Sequence, residues 1–436
     1  MLLVLALKIA SAQEPLTYRS ADSLTYSQFV GKKFAELRYT VRQALRQEID
    51  FYYLRMRMGI SFYERMDYDS ATRHFRRAVE MNPADETAKE YYYFSLLFSG
   101  RNDDAEDLAS SFNADFKKRL GIKETKKPFS EVSFGAGAII NPSIQENKSL
   151  ISGSIQQVAL STFERNTYFA NAIFKSKPSS RLSIFNGLAF FQSNATGVLK
   201  HPIQPGTFST DYSNSFFQVN LQAAYSFPVG LRIVASAGYY NEKSFLLGYD
   251  PVANNPQELI LNLPYNHNAF SGALLAGLRI DRFDLFVSGS IATLLKKNQK
   301  QAEFGVAYFP FGNQSIFSVS RVAYLNNSGN QSIIFSQKLG GKVSENLWAD
   351  FEVETGNMHG YLKAAGFVAF NSADPLYFNS SLNLRFFIGS LTITPTFGLQ
   401  LRKGEIFESA ASNQQGNLSA VKYWNQLVSL SVRYRF

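Results

Sequence analysis

The sequence predicts a mainly β protein, a transmembrane antiparallel β-barrel of roughly 14–16 strands that follows an α-helical domain. Three observations lead to this fold class. The hydrophobic pattern changes from a helical to a strand-like period near Phe129, so the barrel is expected over residues 129–436. The last ten residues alternate between apolar and polar side chains and end on an aromatic ring. The chain also contains 39 Phe and 23 Tyr, which suits the aromatic girdles of a membrane barrel.

The C-terminal strand is the most informative element. One of its faces is apolar, and the other holds serines together with Arg433 and Arg435. An apolar face suits lipid, whereas a polar face suits a water-filled lumen. The segment resembles the closing strand of bacterial outer-membrane barrels, and Tyr434 and Phe436 carry that C-terminal signature. The alternative is an ordinary edge strand of a soluble β domain.

The alternating patterns of the barrel region divide into about sixteen strands, with separate strands at 149–163, 167–176 and 360–371. Short turns normally face the periplasm and long loops face the exterior. If the long loops at 246–266 and 406–420 are both external, an even number of strands must separate them. The sixteen-strand division places an odd number there, so fourteen strands is the alternative.

The N-terminus is expected to be a signal peptide over residues 1–12. Leu2–Leu7 are apolar, and Ala10 and Ala12 provide the small residues of a cleavage site. Lys8 interrupts the apolar run and no positive charge precedes it, which fits a truncated start.

Residues 20–121 are expected to form the helical domain, because they are rich in Arg, Glu, Ala and Met and have helical periodicity. Residues 51–83 resemble a tetratricopeptide repeat. In such a repeat, small residues let two helices approach, aromatic rings fill the space between them, and a proline ends the second helix. The matching positions are Gly59, Phe62, Ala71, Phe75, Ala78 and Pro83.

A weaker helix pair is expected at 84–112, and a helix of about twenty-five residues is expected before both pairs. Repeats of this kind stack in a line and offer a groove to a peptide or a helix. The candidate lining of that groove is the aromatic run Tyr91, Tyr92, Tyr93 and Phe94. The alternative is that these rings pack between repeats and against the barrel mouth. Residues 122–128 form a basic linker too short to let the helical domain move far from the first strand.

A further resemblance concerns the uncertain stretch of the barrel. Gly356–Gly360 and 370–375 are similar to a segment of tetratricopeptide-linked outer-membrane barrels of the Bacteroidota, the YaiO-like group among them. The order of the two domains agrees with that group. The resemblance implies a bacterial outer-membrane location with the N-terminal domain in the periplasm, and it implies no functional residue.

Charged side chains are expected on the inner face of the barrel. If Phe436 faces lipid, the candidate luminal charges are Glu352, Glu354, Arg402, Arg433 and Arg435. They predict a selectivity ring or a gated pore. The alternative is paired charges that fill a polar lumen. The loop at 246–266 is long enough to fold inward as a constriction.

Several functions are disfavoured by composition. Cysteine is absent, so thiol chemistry and disulfides are excluded. The net charge of +9 is spread along the chain without a dense basic block, which argues against a nucleic-acid partner. The four histidines match no Ser–His or metal-binding pattern, so we expect no catalytic residue, no metal, no cofactor and no enzymatic activity.

Two functional hypotheses remain. In the first, the barrel anchors a periplasmic helical domain that binds a protein partner, in envelope assembly, export or as a scaffold. The alternative is a passive or substrate-selective outer-membrane channel with a helical periplasmic cap. Both imply contact with outer-membrane lipid, and both require the barrel-assembly machinery during biogenesis.

Overall fold

The computed structural model describes the following residues: 15–122, 129–149, 157–200, 207–228, 230–249, 260–370, 374–410 and 417–436. The chain divides near Ile122 into two compact units, one helical and one a β-barrel. The signal peptide expected at 1–12 lies outside the described residues, as does most of the linker at 122–128. None of the helices described is long and apolar enough to cross a membrane.

The helical unit consists, over residues 15–122, of seven helices. They are α1 (Tyr18–Val30), α2 (Phe34–Arg46), α3 (Tyr52–Tyr63), α4 (Tyr68–Met81), α5 (Glu86–Phe98), α6 (Asn102–Ser110) and α7 (Ala114–Arg119). The single long helix expected before the repeats is wrong. The chain leaves α1 at Gly31, and Lys32 adopts a positive φ of 53°, which no helix interior accommodates.

Consecutive helices of this unit pack as pairs because small residues face large rings. Gly59 on α3 lies against Phe75 on α4, and a Cβ at Gly59 would come within 2.5 Å of that ring. Ala71 and Ala78 on α4 are fully buried in the same core. Asp67 and Asp85 accept hydrogen bonds from backbone amides at the starts of α4 and α5, which satisfies donors that a helix leaves unpaired.

The second unit is a closed barrel with a small additional hairpin. Its strands are β1 (Glu131–Ile140), β2 (Gln157–Ser176), β3 (Leu182–Lys200), β4 (Thr207–Ser226), β5 (Leu231–Tyr249), β6 (Ile260–Ile280), β7 (Phe283–Ala292), β8 (Gln299–Tyr308), β9 (Ile316–Asn327), β10 (Asn330–Ser344), β11 (Leu347–Thr355), β12 (Leu362–Lys363), β13 (Val368–Ala369), β14 (Leu376–Ile388), β15 (Leu391–Ala410) and β16 (Asn417–Arg435). A short helix α8 (Ile144–Ser149) follows β1, and a 3₁₀ turn, Leu294–Lys296, follows β7. All strands except β12 and β13 form the wall, and β1 pairs with β16 to close it.

The predicted fold class is confirmed, with fourteen wall strands, all paired antiparallel. Two of the sixteen expected strands do not exist as separate wall strands. From Gln157 onward, the segment expected at 149–163 continues into the one expected at 167–176 as a single strand, β2, whose register shifts between Glu164 and Asn166. The strand expected at 360–371 leaves the wall altogether. Eight wall strands, from β6 to β15, then separate the two long connections, as loops at one end require.

The two faces of the wall differ in polarity. On β16, Val428, Leu430 and Tyr434 are exposed on the outer face, and Tyr434 is 44% exposed. Phe436, the last residue, is 55% exposed and packs edge-on against Tyr434. Buried polar side chains such as those of Gln218, Asn220, Gln301 and Glu354 occupy the inner face. The chain therefore has an outer-membrane-type barrel, apolar outside and polar inside.

Candidate functional site in the barrel lumen

The connection from β11 to β14 is an internal hairpin, which we call the plug and define as residues 356–375. Its two arms pair through β12 and β13. The Gly360 amide donates to the Phe370 carbonyl oxygen at 2.8 Å, and the Phe370 amide donates to the Tyr361 carbonyl oxygen at 3.0 Å. The tip turns through Ala364, Ala365 and Gly366, all at positive φ. Residues 371–373 of the plug lie outside the described part.

The plug lies inside the barrel, because it touches walls on opposite sides of it. Lys363 forms ion pairs with residues of β11, the strand the plug follows. Phe367 packs over Gly187 on β3, where a Cβ would come within 2.6 Å of the ring. Six steps separate β11 from β3 by the shorter route around the wall. A segment this short reaches both strands only across the lumen.

The plug tip is held by polar side chains of β4 and β5. Gln218 Nε2 and Asn220 Nδ2 both donate to the Phe367 carbonyl oxygen, at 3.0 and 3.1 Å. The Tyr240 hydroxyl donates to the Gly366 carbonyl oxygen at 3.1 Å, and the Ser236 hydroxyl donates to the carbonyl oxygen of Ala365. Side chains of the wall, rather than the backbone of a paired strand, thus donate the hydrogen bonds that these main-chain oxygens need.

The base of the plug combines apolar packing with hydrogen bonds to β8. Gln301 bonds to both main-chain groups of Leu362, accepting at 3.0 Å and donating at 2.7 Å. The Tyr361 hydroxyl donates to Glu303 Oε2 at 2.7 Å. Met358 and Tyr361 are buried with wall side chains of β9 and β10. The plug is therefore an ordered structure fitted to this wall.

Three of the five expected luminal charges contact the plug, and two of them, Glu352 and Glu354, form ion pairs with Lys363. Lys363 Nζ lies 2.8 Å from Glu352 Oε1 and 3.0 Å from Glu354 Oε1. Glu352 also lies near Lys338 Nζ at 3.5 Å and Arg321 at 3.8 Å. The side chain of Glu354 is fully buried. These carboxylates therefore belong to an ion-pair network that includes one residue of the plug.

The three arginines among the expected charges form their ion pairs with residues outside the plug. Arg402 on β15 is buried and lies 2.9 Å from Glu164 on β2, and it also donates to the Asp374 carbonyl oxygen. Arg433 and Arg435 both lie 3.3 Å from the carboxylate of Glu131 on β1. Glu352 and Glu354 therefore share Lys363, whereas Arg402, Arg433 and Arg435 pair with other carboxylates.

The aromatic run of the helical unit is used in packing. Tyr91 stacks on Phe75 with ring centroids 5.1 Å apart, and Phe94 stacks on Phe98 at 5.8 Å. Tyr93 is buried against Phe112, and Tyr92 packs in both helical cores. Tyr91, Tyr92 and Tyr93 therefore pack against neighbouring helices, and the groove expected at this aromatic run stays a prediction.

The repeat-motif positions lie in the first helical core, apart from Pro83, which follows α4. Phe62 stacks on His74 with centroids 5.7 Å apart. Burial, together with the positive charges of Arg55 and Arg73, lowers the pKa of His74 from 6.5 to about 3. His74 is therefore neutral at physiological pH and serves as a packing residue.

The plug was the main feature that the sequence interpretation missed. Its residues carried one usable signal, the glycines Gly356, Gly360 and Gly366, which interrupt any strand and all adopt positive φ. The constriction was instead expected at 246–266. Residues 250–259 of that loop lie outside the described part, and its flanks continue β5 and β6.

Within the residues described, no group of three His, Asp or Glu side chains is placed to hold a metal ion. What the luminal groups do offer is a large set of hydrogen-bond donors and acceptors around the plug. Such an arrangement can hold a lumen shut or bind a solute in it.

No protein-family model and no curated protein matches the sequence. The solved structures that are similar to this chain include three outer-membrane proteins. The Pseudomonas putida toluene transporter TodX is 7% identical, with a TM-score of 0.43, covering 73% of this chain and 91% of that one. A Pseudomonas aeruginosa FadL homologue is 9% identical, with a TM-score of 0.45, covering 70% and 90%. The Acinetobacter baumannii outer membrane protein Omp33 is 12% identical, with a TM-score of 0.30, covering 70% and 99%. Likeness at this level says nothing about substrate.

Proposed function

We propose that the protein is a gated outer-membrane channel whose resting lumen is occupied by the plug. The observation that carries the proposal is the plug itself. A barrel that served only as an anchor would need no ordered hairpin bound to polar side chains on opposite walls. A wall of fourteen strands encloses room for a water-filled channel once that hairpin moves.

The location follows from the two faces of the barrel. A closed wall with an apolar exterior satisfies all backbone hydrogen bonds and is suited to a bilayer. The start of β1, Glu131, and the end of β16, Arg435, lie at the edge of the wall that carries three of the four two-residue turns, those after β6, β10 and β14; the fourth, after β9, lies at the other edge. Short turns normally face the periplasm, which supports a periplasmic position for the N-terminal domain.

The contacts of the plug tip suit a gate better than a permanent core. The tip is held by hydrogen bonds, each worth about 0.5–1.5 kcal/mol, and water can replace them when the lumen fills. Ala364 and Ala365 adopt φ of 55° and 54°. A left-handed conformation costs a residue with a Cβ roughly 1–2 kcal/mol. The strain at these two residues therefore offsets part of the stability that the hydrogen bonds give the plugged state.

Planar-bilayer recordings test the proposal. The wild type is expected to show a low or intermittent conductance, and a variant with residues 361–370 replaced by a short Gly/Ser linker is expected to conduct steadily. The matched control replaces Glu345 and Asn346, the exposed turn after β10, with glycines. If the plug-less barrel folds, as shown by heat-dependent gel mobility, and still does not conduct, the channel proposal is wrong.

We propose protein binding as a second role, for the helical unit. The surface that supports it is a cavity near α1 and α3, and it differs from the aromatic run that the sequence suggested. A shallow cavity of about 320 Å³ is lined by Tyr18, Arg19, Asp22, Phe51 and Tyr53. Tyr18 and Tyr53 are exposed there. We interpret the helix pairs as tetratricopeptide-like, and the barrel as similar to the Bacteroidota group named above. On that interpretation, this cavity is the place for a periplasmic or outer-membrane protein partner.

The partner-binding role is tested by affinity capture with the full chain in detergent. A defined envelope protein is expected to be retained by the wild type and lost with Tyr53→Ala. A Tyr39→Ala variant, which removes an exposed tyrosine of α2 outside the cavity, is the control. Equal retention by both variants contradicts this placement of the partner site.

A further inference from the structure

Four aromatic side chains form a continuous row on the barrel wall, which we call the aromatic ladder. It consists of Phe169 on β2, Phe191 on β3, Phe216 on β4 and Tyr240 on β5. Successive ring centroids lie 5.8, 5.8 and 5.7 Å apart. The first three rings are directly opposite one another in the strand register. One strand after another thus contributes a ring to a single row.

The ladder faces the lumen. Tyr240 at one end bonds to the Gly366 carbonyl oxygen of the plug. The adjacent residues in sequence face the other way, since Phe190 is 46% exposed and Phe217 is 40% exposed on the outer wall. Phe169 lies over Gly137 on β1, where a Cβ would come within 2.6 Å of the ring. The wall therefore makes room for these rings on its polar side, where aromatic side chains are not needed for contact with lipid.

Hydrogen-bonding groups flank the ladder on the same face. Thr167 donates to Ser193 at 3.0 Å, two positions along each strand from Phe169 and Phe191. Gln218 lies two positions beyond Phe216, and Glu242 is opposite Phe216 in the register. The flanking groups are hydroxyls, an amide and a carboxylate. A site of this kind suits a solute with flat apolar faces and hydroxyl groups around its edge.

The plug occupies part of the same surface. The Phe367 ring fills the space above Gly187, which lies four residues from Phe191 on the same face of β3. Its carbonyl oxygen accepts from Gln218 and Asn220. A bound sugar could place its ring where the Phe367 ring lies and a hydroxyl oxygen where the Phe367 carbonyl oxygen lies, between the two amides. The plug therefore covers a position that a solute of this chemistry would use.

From this geometry we infer that the inner face of β2–β5 is a binding track for a neutral carbohydrate, and that Phe367 occupies one of its positions in the plugged state. The inference rests on the proposed channel function and specifies its substrate class. The C–H faces of sugar rings meet the negative faces of the aromatic rings, and the hydroxyls bond to the amides and the carboxylate. A carbohydrate that enters the track would compete with Phe367 and so favour release of the plug.

Calorimetric titration of the purified full chain in detergent, with maltohexaose as the probe, tests the track without a bilayer. Phe191→Ala is expected to weaken binding roughly three- to tenfold, since an aromatic contact is worth about 0.5–1.5 kcal/mol. The matched control is Phe190→Ala, which removes the same side chain from the outer face of the same strand. Phe367→Ala is expected to tighten binding, because it vacates a position on the track. Heat-dependent gel mobility shows whether each variant is folded.

The results separate this inference from the channel proposal. Absence of maltohexaose binding, equal binding by Phe191→Ala and wild type, or binding of toluene in place of the sugar each overturns the carbohydrate track. If the plug-less variant conducts in such a case, the channel stands with another substrate. If binding follows the expected pattern and the plug-less variant does not conduct, the site stands and the channel proposal fails.

Discussion

The sharpest test of the gate is the replacement of Lys363 by methionine, which keeps the length of the side chain and removes its charge. In the plugged state Lys363 Nζ lies 3.0 Å from the buried carboxylate of Glu354. In the described residues, Glu354 has no other ion-pair partner, and its remaining contact is a hydrogen bond from Asn379 Nδ2 at 2.8 Å. Lys363→Met therefore leaves a buried carboxylate without a cation as long as the plug is in place.

The magnitude follows from that burial. Breaking a buried ion pair by removing one partner costs about 3–5 kcal/mol, and the lower end applies here because Lys363 is partly exposed. Release of the plug lets water reach Glu354, so the cost falls on the plugged state. About 3 kcal/mol corresponds to a change of roughly a hundredfold in the ratio of open to plugged protein.

Two measurements report this ratio. The open probability in planar bilayers is expected to rise by about two orders of magnitude, or to saturate. Because the chain has no cysteine, a single Leu362→Cys reporter placed in the plug is the only thiol. Its rate of maleimide labelling is expected to rise in parallel. Lys342→Met, which breaks an exposed pair with Glu345, is the control.

Equal conductance and equal labelling rates in Lys363→Met and Lys342→Met, with both barrels folded, would contradict a gate held by this ion pair. That result would mean that the buried pair does not distinguish plugged from open protein. The plug would then be a fixed part of the barrel.

Three further predictions concern packing and pH. Gly187→Leu is expected to displace the plug ring above it and raise conductance, whereas Gly272→Ala, with nothing within 4 Å of an added Cβ, leaves conductance unchanged. Gly59→Ala is expected to destabilise the helical unit by about 1–3 kcal/mol in thermal unfolding followed by helical circular dichroism, and Phe75→Leu in the same chain recovers part of the loss. The lowered pKa of His74 means that the unfolded chain binds a proton between pH 6.5 and about 3 while the folded chain does not, so the stability of the helical unit falls as pH falls through that window. His74 contributes at most about 1.4 kcal/mol per pH unit to the slope of the unfolding free energy against pH. His74→Gln is expected to remove that contribution, and an unchanged slope in this variant would contradict the assignment.

Much of the fold was predictable because its signals are local. Alternation of apolar and polar residues along β16 shows which face meets lipid, and the terminal Tyr434 and Phe436 mark the closing strand. The helical unit was predictable at the positions where small residues must face rings. Gly59 and Phe75, inferred from their spacing in the sequence, are in contact in the structure.

The errors in the barrel arose where local pattern and tertiary pairing disagree. A strand can carry a register shift, as β2 does after Glu164, and still continue, although its alternation breaks there. The plug contains apolar residues at strand-like spacing, such as Val368 and Phe370. Nothing in that spacing tells whether the partner is a wall strand or the other arm of a luminal hairpin.

The candidate site depended almost entirely on tertiary structure. The luminal charges were expected from alternation, but their partners come from strands far apart in sequence, as with Arg402 and Glu164. The aromatic ladder draws one ring from each of four strands. Its members are ordinary strand residues when each strand is considered alone.

Alternation along individual strands was enough to predict a barrel with an apolar exterior and a polar lumen, because the side-chain period of a strand is a local property of the backbone. The number of wall strands, the segment that fills the lumen and the groups that meet there became known from the folded chain. Those depend on the register between strands and on contacts across the barrel, and residues distant in sequence meet there without leaving a periodic signal.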